Sequence, residues 1–328
     1  QSARSVEALA AAGDAVGAFA RASKLLSFVN THLQLLPVEG PAMVPLAEDT
    51  EFISALSATS WLPVLQTPPH PQMPWASRQS SIASPDAVRP QKDAWLVSYC
   101  LGLLSGELNC LPLVGAFGWD EPPRPAVICA QLVQVANMYS PGSAPEESIL
   151  WEQLLTPAYS QLSELLDQPS FSAVSTMLRS RPCLFVGHEV GFLSPEHVSF
   201  EDSPSPAIGY LSNVTAGLQP FAPLLRALGV RDSFSVRDYV HANTLFVRDA
   251  ADMPMPPGKL QACVATIDAM VKPAIVSIER NTEVAFFGEH PGRSTATGFV
   301  VDAKRGLIMT NHHVTGSGPS FFKVSFYD

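Results

Sequence analysis

Thirty prolines divide this chain of 328 residues into short segments, because proline fixes φ and lacks the N–H that a helix interior or a central strand needs. The character of the chain changes to proline-rich between residues 37 and 94, a stretch that contains "WLPVLQTPPHPQMPW". Tryptophans at 61 and 75 lie in this stretch and Trp95 follows it directly, whereas disordered segments are poor in large aromatics. We therefore predict packed short strands and ordered loops here, with the tryptophans as buried anchors.

Helical patterns surround this stretch. Residues 5–36 repeat apolar positions at helical spacing and predict one long helix, or two broken near Gly13 or Gly17. "PPRPAVICAQLVQVANMYS" predicts a helix with proline in its first turn, and "LQPFAPLLRALGV" one that ends at Gly229 in the left-handed conformation. "AWLVSYCLGLLSG" suggests a strand followed by a helix, and no internal repeat is evident.

The composition changes again at residues 248–258, "RDAADMPMPPG", which read as a linker. "KLQACVATIDAMV" then predicts a helix, and Val, Ile and Phe dominate the segments that follow, as in short strands of an antiparallel sheet or partial barrel. We therefore predict an α+β protein with three parts: a helix-rich mixed front module at 1–247, the linker at 248–258 and a β piece at 259–328.

Charge and apolar patterning argue against several classes of function. The formal charge is −10 and no basic run occurs, so we expect no nucleic-acid partner. Apolar stretches are too short for a membrane helix. Cysteines 100, 110, 129, 183 and 263 show no zinc-type spacing, and no phosphate-binding glycine loop occurs. The sequence predicts no metal or cofactor, and free thiols in a reducing, intracellular compartment, cytoplasmic or nuclear.

The front module contains five notable segments in order across about residues 15–245, among them "WLPVLQTPPHPQMPW", "FGWDEPPRPAVICAQLVQV" and "PCLFVGHEVGFLSPEHVSF". Together these segments resemble the later part of a sacsin repeat. The resemblance implies a scaffold or client-contact segment of a chaperone-associated protein, with unfolded client proteins and chaperones as partners. Adjacent pairs such as His188 and Glu189 read as surface turns rather than catalytic pairs.

The rear segment resembles a second family. "VKPAIVSIE", "STATGFVVDAKRGLIMTNHHV" and "GSGP" are similar to the start of an HtrA/Deg-type serine protease domain over about residues 265–328, closest to the nuclear branch of fungi and plants. The resemblance implies the start of a trypsin-like barrel, with Gly298 and Phe299 in a strand that lets the barrel close. It also implies that His313 is the general base, whereas the neighbouring His312 is structural.

The resemblance assigns no nucleophile and no orienting acid within these residues. Asp328 falls in the strand after the histidine loop and Ser317 in that loop itself, so neither takes a triad role. Three hypotheses follow: a non-catalytic sacsin-like scaffold joined to the truncated start of a protease, the front of a longer active endopeptidase, or two neighbouring genes joined in one sequence. A barrel that lacks its later strands also predicts self-association through an unpaired β edge.

Overall fold

The computed structural model describes residues 1–32, 50–140, 144–201, 210–251, 274–282, 292–311, 314 and 320–326. Within these ranges the helices are α1 Ser2–Ala11, α2 Ala15–His32, α3 Thr50–Ala58, α4 Ala94–Val97, α5 Leu111–Ala116, α6 Pro125–Met138, α7 Glu147–Leu150, α8 Thr156–Ser163, α9 Phe171–Leu178, α10 Ala222–Leu228 and α11 Val236–Ala251. A π-helical turn, Trp151–Leu155, joins α7 to α8.

The described strands are short in the front of the chain and longer in the rear. They are β1 Leu62–Pro63, β2 Ile82–Ala83, β3 Val88–Arg89, β4 Gly102–Leu103, β5 Leu184–Gly187, β6 Gly191–Leu193, β7 Val198–Ser199, β8 Ser212–Asn213, β9 Ile275–Thr282, β10 Gly292–Asp302, β11 Leu307–Met309 and β12 Ser320–Phe326. Helices and small, mostly antiparallel sheets coexist, so the α+β prediction is confirmed.

The chain divides into two compact units. Gln1–Val198 and Val214–Arg231 form the front unit, and Ser199–Asn213 and Asp232–Asp328 form the rear unit. Residues 248–251 of the predicted linker are the last turn of α11. The rest of that linker and the helix predicted after it lie outside the described residues.

Most helix ends fall where the sequence predicts them. The first helical region breaks at Gly13, whose φ of +84° few other residues adopt. Helix α6 begins at Pro125, and α10 ends at Gly229 with φ +102°. The prediction for "AWLVSYCLGLLSG" is wrong in its order: helix α4 comes first and strand β4 second. Short apolar runs do not distinguish a buried strand from a buried helical turn.

The front unit has its own apolar core around two tryptophans. Trp61 and Trp119 are buried, with Leu62, Leu104 and Leu113 around them. Trp61 is thus a buried anchor as predicted, whereas Trp75 and Trp95 are only half-buried. The Trp61 indole N–H donates to the carbonyl of Leu56, 3.1 Å away, so the proline-rich loops begin from a fixed point at the end of α3. This is how a segment with few regular hydrogen bonds remains packed.

Two stretches of the chain have a similar order of elements. From α3 to α6 and again from α9 to α11, a helix is followed by an antiparallel β pair, a 3₁₀ turn, two strands, a proline-containing helix and a further helix. The first stretch also has a 3₁₀ turn at Gln91–Asp93 and helix α4 between its two strands, and the second has a 3₁₀ turn at Gln219–Phe221 before α10. We call these stretches the first and second series.

The two series agree in local geometry at their 3₁₀ turns. "SPDAV" at 84–88 and "SPEHV" at 194–198 have the same residues at three of five positions. Ser84 and Ser194 are extended, with φ and ψ of −77° and 158° in the first and −76° and 152° in the second. The N–H of the fourth residue donates to the serine carbonyl at 3.0 Å and 2.9 Å.

The series agree again at the ends of α5 and α10. Gly118 and Gly229 both have positive φ, and the N–H of the following residue, Trp119 or Val230, donates back to Val114 or Leu225 at 2.9 Å in each case. This six-to-one hydrogen bond is the Schellman pattern, which needs the left-handed glycine. The 3₁₀ turn and the helix end therefore have the same local geometry in both series.

The rear unit contains a four-stranded antiparallel sheet in the order β11-β10-β9-β12. Three consecutive strands form a meander, and the fourth returns to pair with the first over Ser320–Phe326. This arrangement is a Greek key. The predicted antiparallel sheet is confirmed, whereas closure into a trypsin-like barrel is not seen among the described strands.

Candidate functional site

The rear sheet has one core face because its central strand alternates. In β9, Val276 and Ile278 are buried, whereas the residues that follow each of them, Ser277 and Glu279, are only half-buried. Side chains of successive strand residues point to opposite faces, so the valine and the isoleucine share one face. Ala296, Val300, Ile308, Val324 and Val314 pack with them.

Gly298 allows the neighbouring strands to approach each other. A Cβ atom at this position would lie 2.6 Å from Ile278 Cδ1 and 2.9 Å from Ile308 Cγ2. A larger residue would therefore force the side chains of Ile278 and Ile308 to shift. Gly298 lies in β10, and its lack of a Cβ atom allows this close packing.

A tight turn sets the register of β11, the strand that leads to the histidine pair. The Asp302 side chain accepts a hydrogen bond from the Arg305 N–H at 2.9 Å, and Gly306 takes φ +66°. The turn returns the chain so that Ile308 lies opposite Val300 on the core face.

The chain is anchored on both sides of the histidine pair. Before it, the Thr310 hydroxyl donates to the carbonyl of Thr297 at 2.9 Å. After it, Val314 is 6% exposed in the sheet core, and its N–H donates to the carbonyl of Asn311 at 2.9 Å. His312 and His313, the predicted base, lie outside the described residues.

Two further residues weighed in the sequence also lie outside the described residues, Ser317 and Asp328. The structure therefore brings together the sheet that carries the segment and the anchors on either side of the histidine pair. The distances between His313 and any partner stay a matter of prediction.

The core face of the sheet is open beside β12. Phe322 and Phe326 lie opposite Arg280 and Val276 and so share the core face, yet they are 46% and 62% exposed. Phe321, on the other face, is 69% exposed. Among the described strands β12 pairs only with β9, so this edge combines unpaired backbone with exposed aromatic rings.

The charged groups of the rear sheet form surface and edge pairs. Arg293 and Glu279 form an ion pair across β10 and β9. The hydrogen bond from Arg293 lowers the pKa of the Glu279 carboxyl, and the same contact raises the pKa of Arg293. Arg280 donates from Nε to the Ser320 hydroxyl at 2.9 Å, which ties β9 to β12. These contacts fix the sheet and supply no reactive group.

Two buried thiols of the front unit, Cys129 and Cys183, are protonated near neutral pH. The four described cysteines are free. Burial raises the pKa of Cys129 to about 12, and burial also raises the pKa of Cys183. The thiolate is the nucleophilic form of cysteine, so neither group is a catalytic nucleophile near neutral pH.

The other polar clusters of the described residues are structural. His188 lies in the turn between β5 and β6, as the sequence predicts. The Tyr139 hydroxyl donates to the His188 carbonyl at 2.9 Å and lies 3.0 Å from its Nδ1. The described ranges contain no group of three or more His, Cys, Asp or Glu side chains placed to bind a metal. Nor do they contain a helix with the length and hydrophobicity needed to cross a membrane.

Curated proteins similar to this chain are serine proteases, matched over short stretches. "Pro-apoptotic serine protease NMA111" of Debaryomyces hansenii is 56% identical over 54 residues, 16% of this chain and 5% of the relative. "Protease Do-like 7" of Arabidopsis thaliana is 45% identical over 56 residues, 17% of this chain and 5% of the relative. The protein named NMA111 in Ajellomyces capsulatus is 35% identical over 121 residues, 36% of this chain and 11% of the relative.

These matches relate the chain to HtrA-type serine proteases. The chain spans between 5% and 11% of the length of these three relatives. No family model matches the chain, and no solved structure matches it. The sacsin resemblance of the front module stays a prediction.

Proposed function

We propose that residues 259–328 are the base-bearing first part of an HtrA/Deg-type serine endopeptidase domain, with His313 as the general base. The observation that carries the proposal is the pair of anchors at Thr310 and Val314, which hold the chain on both sides of the histidine pair at the end of β11. A rigid strand end is what a general base needs to keep its imidazole within reach of a serine hydroxyl.

The reaction would be peptide-bond hydrolysis. In such a site the imidazole takes the proton of a serine hydroxyl as that oxygen attacks the peptide carbonyl, and it then returns the proton to the leaving amine. An acid orients the imidazole, and backbone N–H groups stabilise the oxyanion. Since these groups act as a unit and only the base is assigned here, we propose that residues 1–328 alone hydrolyse no peptide.

The open core face beside β12 supports a larger barrel in the complete domain. Phe322 and Phe326 are exposed on the face that Val276 and Ile278 fill. Further strands paired to β12 would cover both rings and satisfy the free backbone groups of that edge. We propose that the orienting acid and the serine nucleophile are supplied together with those strands.

The adjacent histidines provide a matched test of the base. In the longest native product that contains this sequence, His313→Ala should lower kcat/KM on an unfolded protein substrate by about 10⁴-fold or more. His312→Ala should lower it by less than about tenfold, since removing a residue outside the triad leaves the triad intact. Equal losses in the two variants would contradict the assignment of His313.

A second assay examines residues 1–328 by themselves. Incubated with a fluorophosphonate probe and unfolded casein, this chain should show no labelling and no cleavage. Labelling lost in Ser317→Ala and in His313→Ala would show that Ser317 is a nucleophile after all. Labelling that survives His313→Ala would reveal a nucleophile elsewhere.

For the front module we propose a second role, a sacsin-like scaffold that contacts client proteins or chaperones in the cytoplasm or nucleus. The supporting observation is a unit with its own core and the protonated, buried thiol of Cys129. Its described residues contain no group of three or more His, Cys, Asp or Glu side chains placed to bind a metal. Free thiols persist in a reducing compartment.

The chain should suppress aggregation of a heat-denatured client enzyme at equimolar concentration.

Self-association through the exposed edge at β12 could also suppress aggregation of the client, so the experiment needs a control. Phe326→Lys places a charge on the exposed edge and should reduce self-association of the chain in sedimentation velocity. Phe28→Lys, at a ring 55% exposed on α2, is the matched control. If Phe326→Lys abolishes client protection as well, the scaffold role of the front module is wrong.

A further inference from the structure

A cavity of about 460 Å³ opens beside α5 in the front unit. This volume lies in the range of small-ligand sites. Its wall is apolar over most of its area and carries a few polar groups. The residues used here are Leu104, Leu108, Val114, Trp119, Lys92 and Glu107.

Trp119 is part of this wall and carries an unpaired hydrogen-bond donor. The residue is 1% exposed, and its indole Nε1 is buried with no hydrogen-bond partner among the described residues. Trp61, equally buried in the same core, has its indole paired with the Leu56 carbonyl. An unsatisfied buried donor destabilises the fold unless an acceptor reaches it. A ligand that supplied an acceptor to the Trp119 indole would therefore remove this cost.

The segment that carries Trp119 is held in place before any ligand binds. The Arg89 guanidinium donates to the carbonyl of Gly118 at 2.7 Å and to that of Glu121 at 2.6 Å. Asp93 pairs with the same guanidinium at 2.8 Å. The loop on both sides of the indole is thereby fixed.

Another part of the rim, at Glu107 and Asn109, is held by helix α2. The Asn30 side chain donates to the Glu107 carbonyl at 2.6 Å and accepts from the Asn109 N–H at 2.8 Å. A rim fixed in advance reduces the ordering cost of binding.

The second series lacks these features although its 3₁₀ turn and its glycine helix end have the same local geometry. Val230 occupies the position of Trp119 after the left-handed glycine, and Ser199 occupies the position of Arg89 after the 3₁₀ turn. A fold that needed only this local geometry would accept valine and serine in both series. The indole and the guanidinium are therefore particular to the cavity of the first series.

We propose that this cavity binds one large apolar residue of an extended peptide. The apolar wall of Leu104, Leu108 and Val114 would receive the side chain. Lys92 and the Trp119 indole supply donors for the peptide carbonyl, and Glu107 supplies an acceptor for the peptide N–H. A peptide group presents both a donor and an acceptor, which a simple anion or hydrocarbon does not. The inference does not depend on the protease role of the rear segment.

The test follows the tryptophan indole signals of the full chain by nuclear magnetic resonance. The chain has five tryptophans, and Trp119→Phe identifies the signal of interest. Acetyl-leucine methylamide should shift the Trp119 signal selectively, with a Kd of about 1 mM for a ligand of this size. Acetyl-alanine methylamide and N-acetyl-leucine should bind at least threefold more weakly, the first for its small side chain and the second for the N–H it lacks.

Two wall variants and one control complete the experiment. Glu107→Gln should weaken binding at least threefold, and Leu108→Arg should abolish it. Glu121→Gln, an exposed carboxyl of the same unit outside this cavity wall, should leave it unchanged. If Trp119→Phe fails to fold, Lys92→Gln at an exposed position identifies the signal through its local shift. No selective shift, or a shift unchanged in both wall variants, would overturn the proposal.

Discussion

Arg89 shows how one buried charge organises a loop-rich region. Its guanidinium pairs with Asp93 and also donates to two carbonyls on the segment of Trp119. Burial raises the pKa of Asp93, and the charge of Arg89 opposes that rise. Asp93 therefore stays compatible with the core only while Arg89 is present.

Removal of this partner should be costly. We expect Arg89→Met to lower the free energy of unfolding by about 3–5 kcal/mol, because it leaves a buried carboxylate unpaired. Burial raises the folded pKa of Asp93 even with Arg89 present, and loss of Arg89 should raise it further. The loss of stability should therefore shrink below pH 5, where Asp93 becomes protonated. Urea denaturation measures both effects. Arg89→Met combined with Asp93→Leu should recover stability, and a double variant no better than the single one would contradict this account.

The buried thiols predict instability in alkali. The folded pKa of Cys129 is about 12 against an ordinary 9.0, so its contribution is complete below pH 9 and is lost as the pH rises to about 12. The free energy of unfolding should fall by up to about 1.4 kcal/mol per pH unit for each such group. Denaturation between pH 8 and 11 should show a shallower fall in Cys129→Ser. An unchanged slope would mean that the thiol titrates alike in both states.

Single residues could be predicted from the sequence where chemistry alone decides them. Gly13 and Gly229 stand where helices end, and the structure gives both a positive φ. The unpaired indole of Trp119 could not be predicted, because the sequence shows a buried aromatic but not whether an acceptor lies within reach of its nitrogen.

At the scale of elements, helices were more predictable than strands. Helices α6 and α10 begin or end at prolines and glycines visible in the sequence. The front strands are two to four residues long, too short for an alternating pattern to emerge. The similarity of the two series was missed for the same reason, since it lies in separated motifs, "SPDAV" with "SPEHV" and "PLVGAFG" with "PLLRALG".

The helix end shared by the two series makes a prediction about its two left-handed glycines. Gly118→Ala and Gly229→Ala should each lower the free energy of unfolding by about 1–2 kcal/mol, because a Cβ disfavours positive φ. An added Cβ at Gly118 meets no atom within 4 Å, so the cost there is one of backbone conformation. Gly115→Ala, inside α5, should instead raise stability by up to about 1 kcal/mol. Equal effects at 115 and 118, measured by urea denaturation, would contradict the shared helix end.

At the scale of the whole molecule, the α+β class followed from segment patterns, whereas the arrangement of the rear strands did not. Pairing of β12 with β9 joins segments far apart in sequence. Alternation specifies which face of a strand is buried, but not which strand lies next to it. The relation to serine proteases came from residues around the histidine pair, a local pattern that survives without knowledge of the sheet order.

Separate cores in the two units predict separate unfolding. Leu113 is fully buried in the front core. Its replacement by alanine should lower the free energy of unfolding of the front unit by about 2–5 kcal/mol, and only the transition of that unit should move to lower temperature. Gly298→Val, which would place atoms against Ile278 and Ile308, should lower only the transition of the rear sheet. Differential scanning calorimetry of the full chain distinguishes the two. If either substitution displaces both transitions together, the units unfold as one cooperative body, because independent cores respond only to changes within themselves.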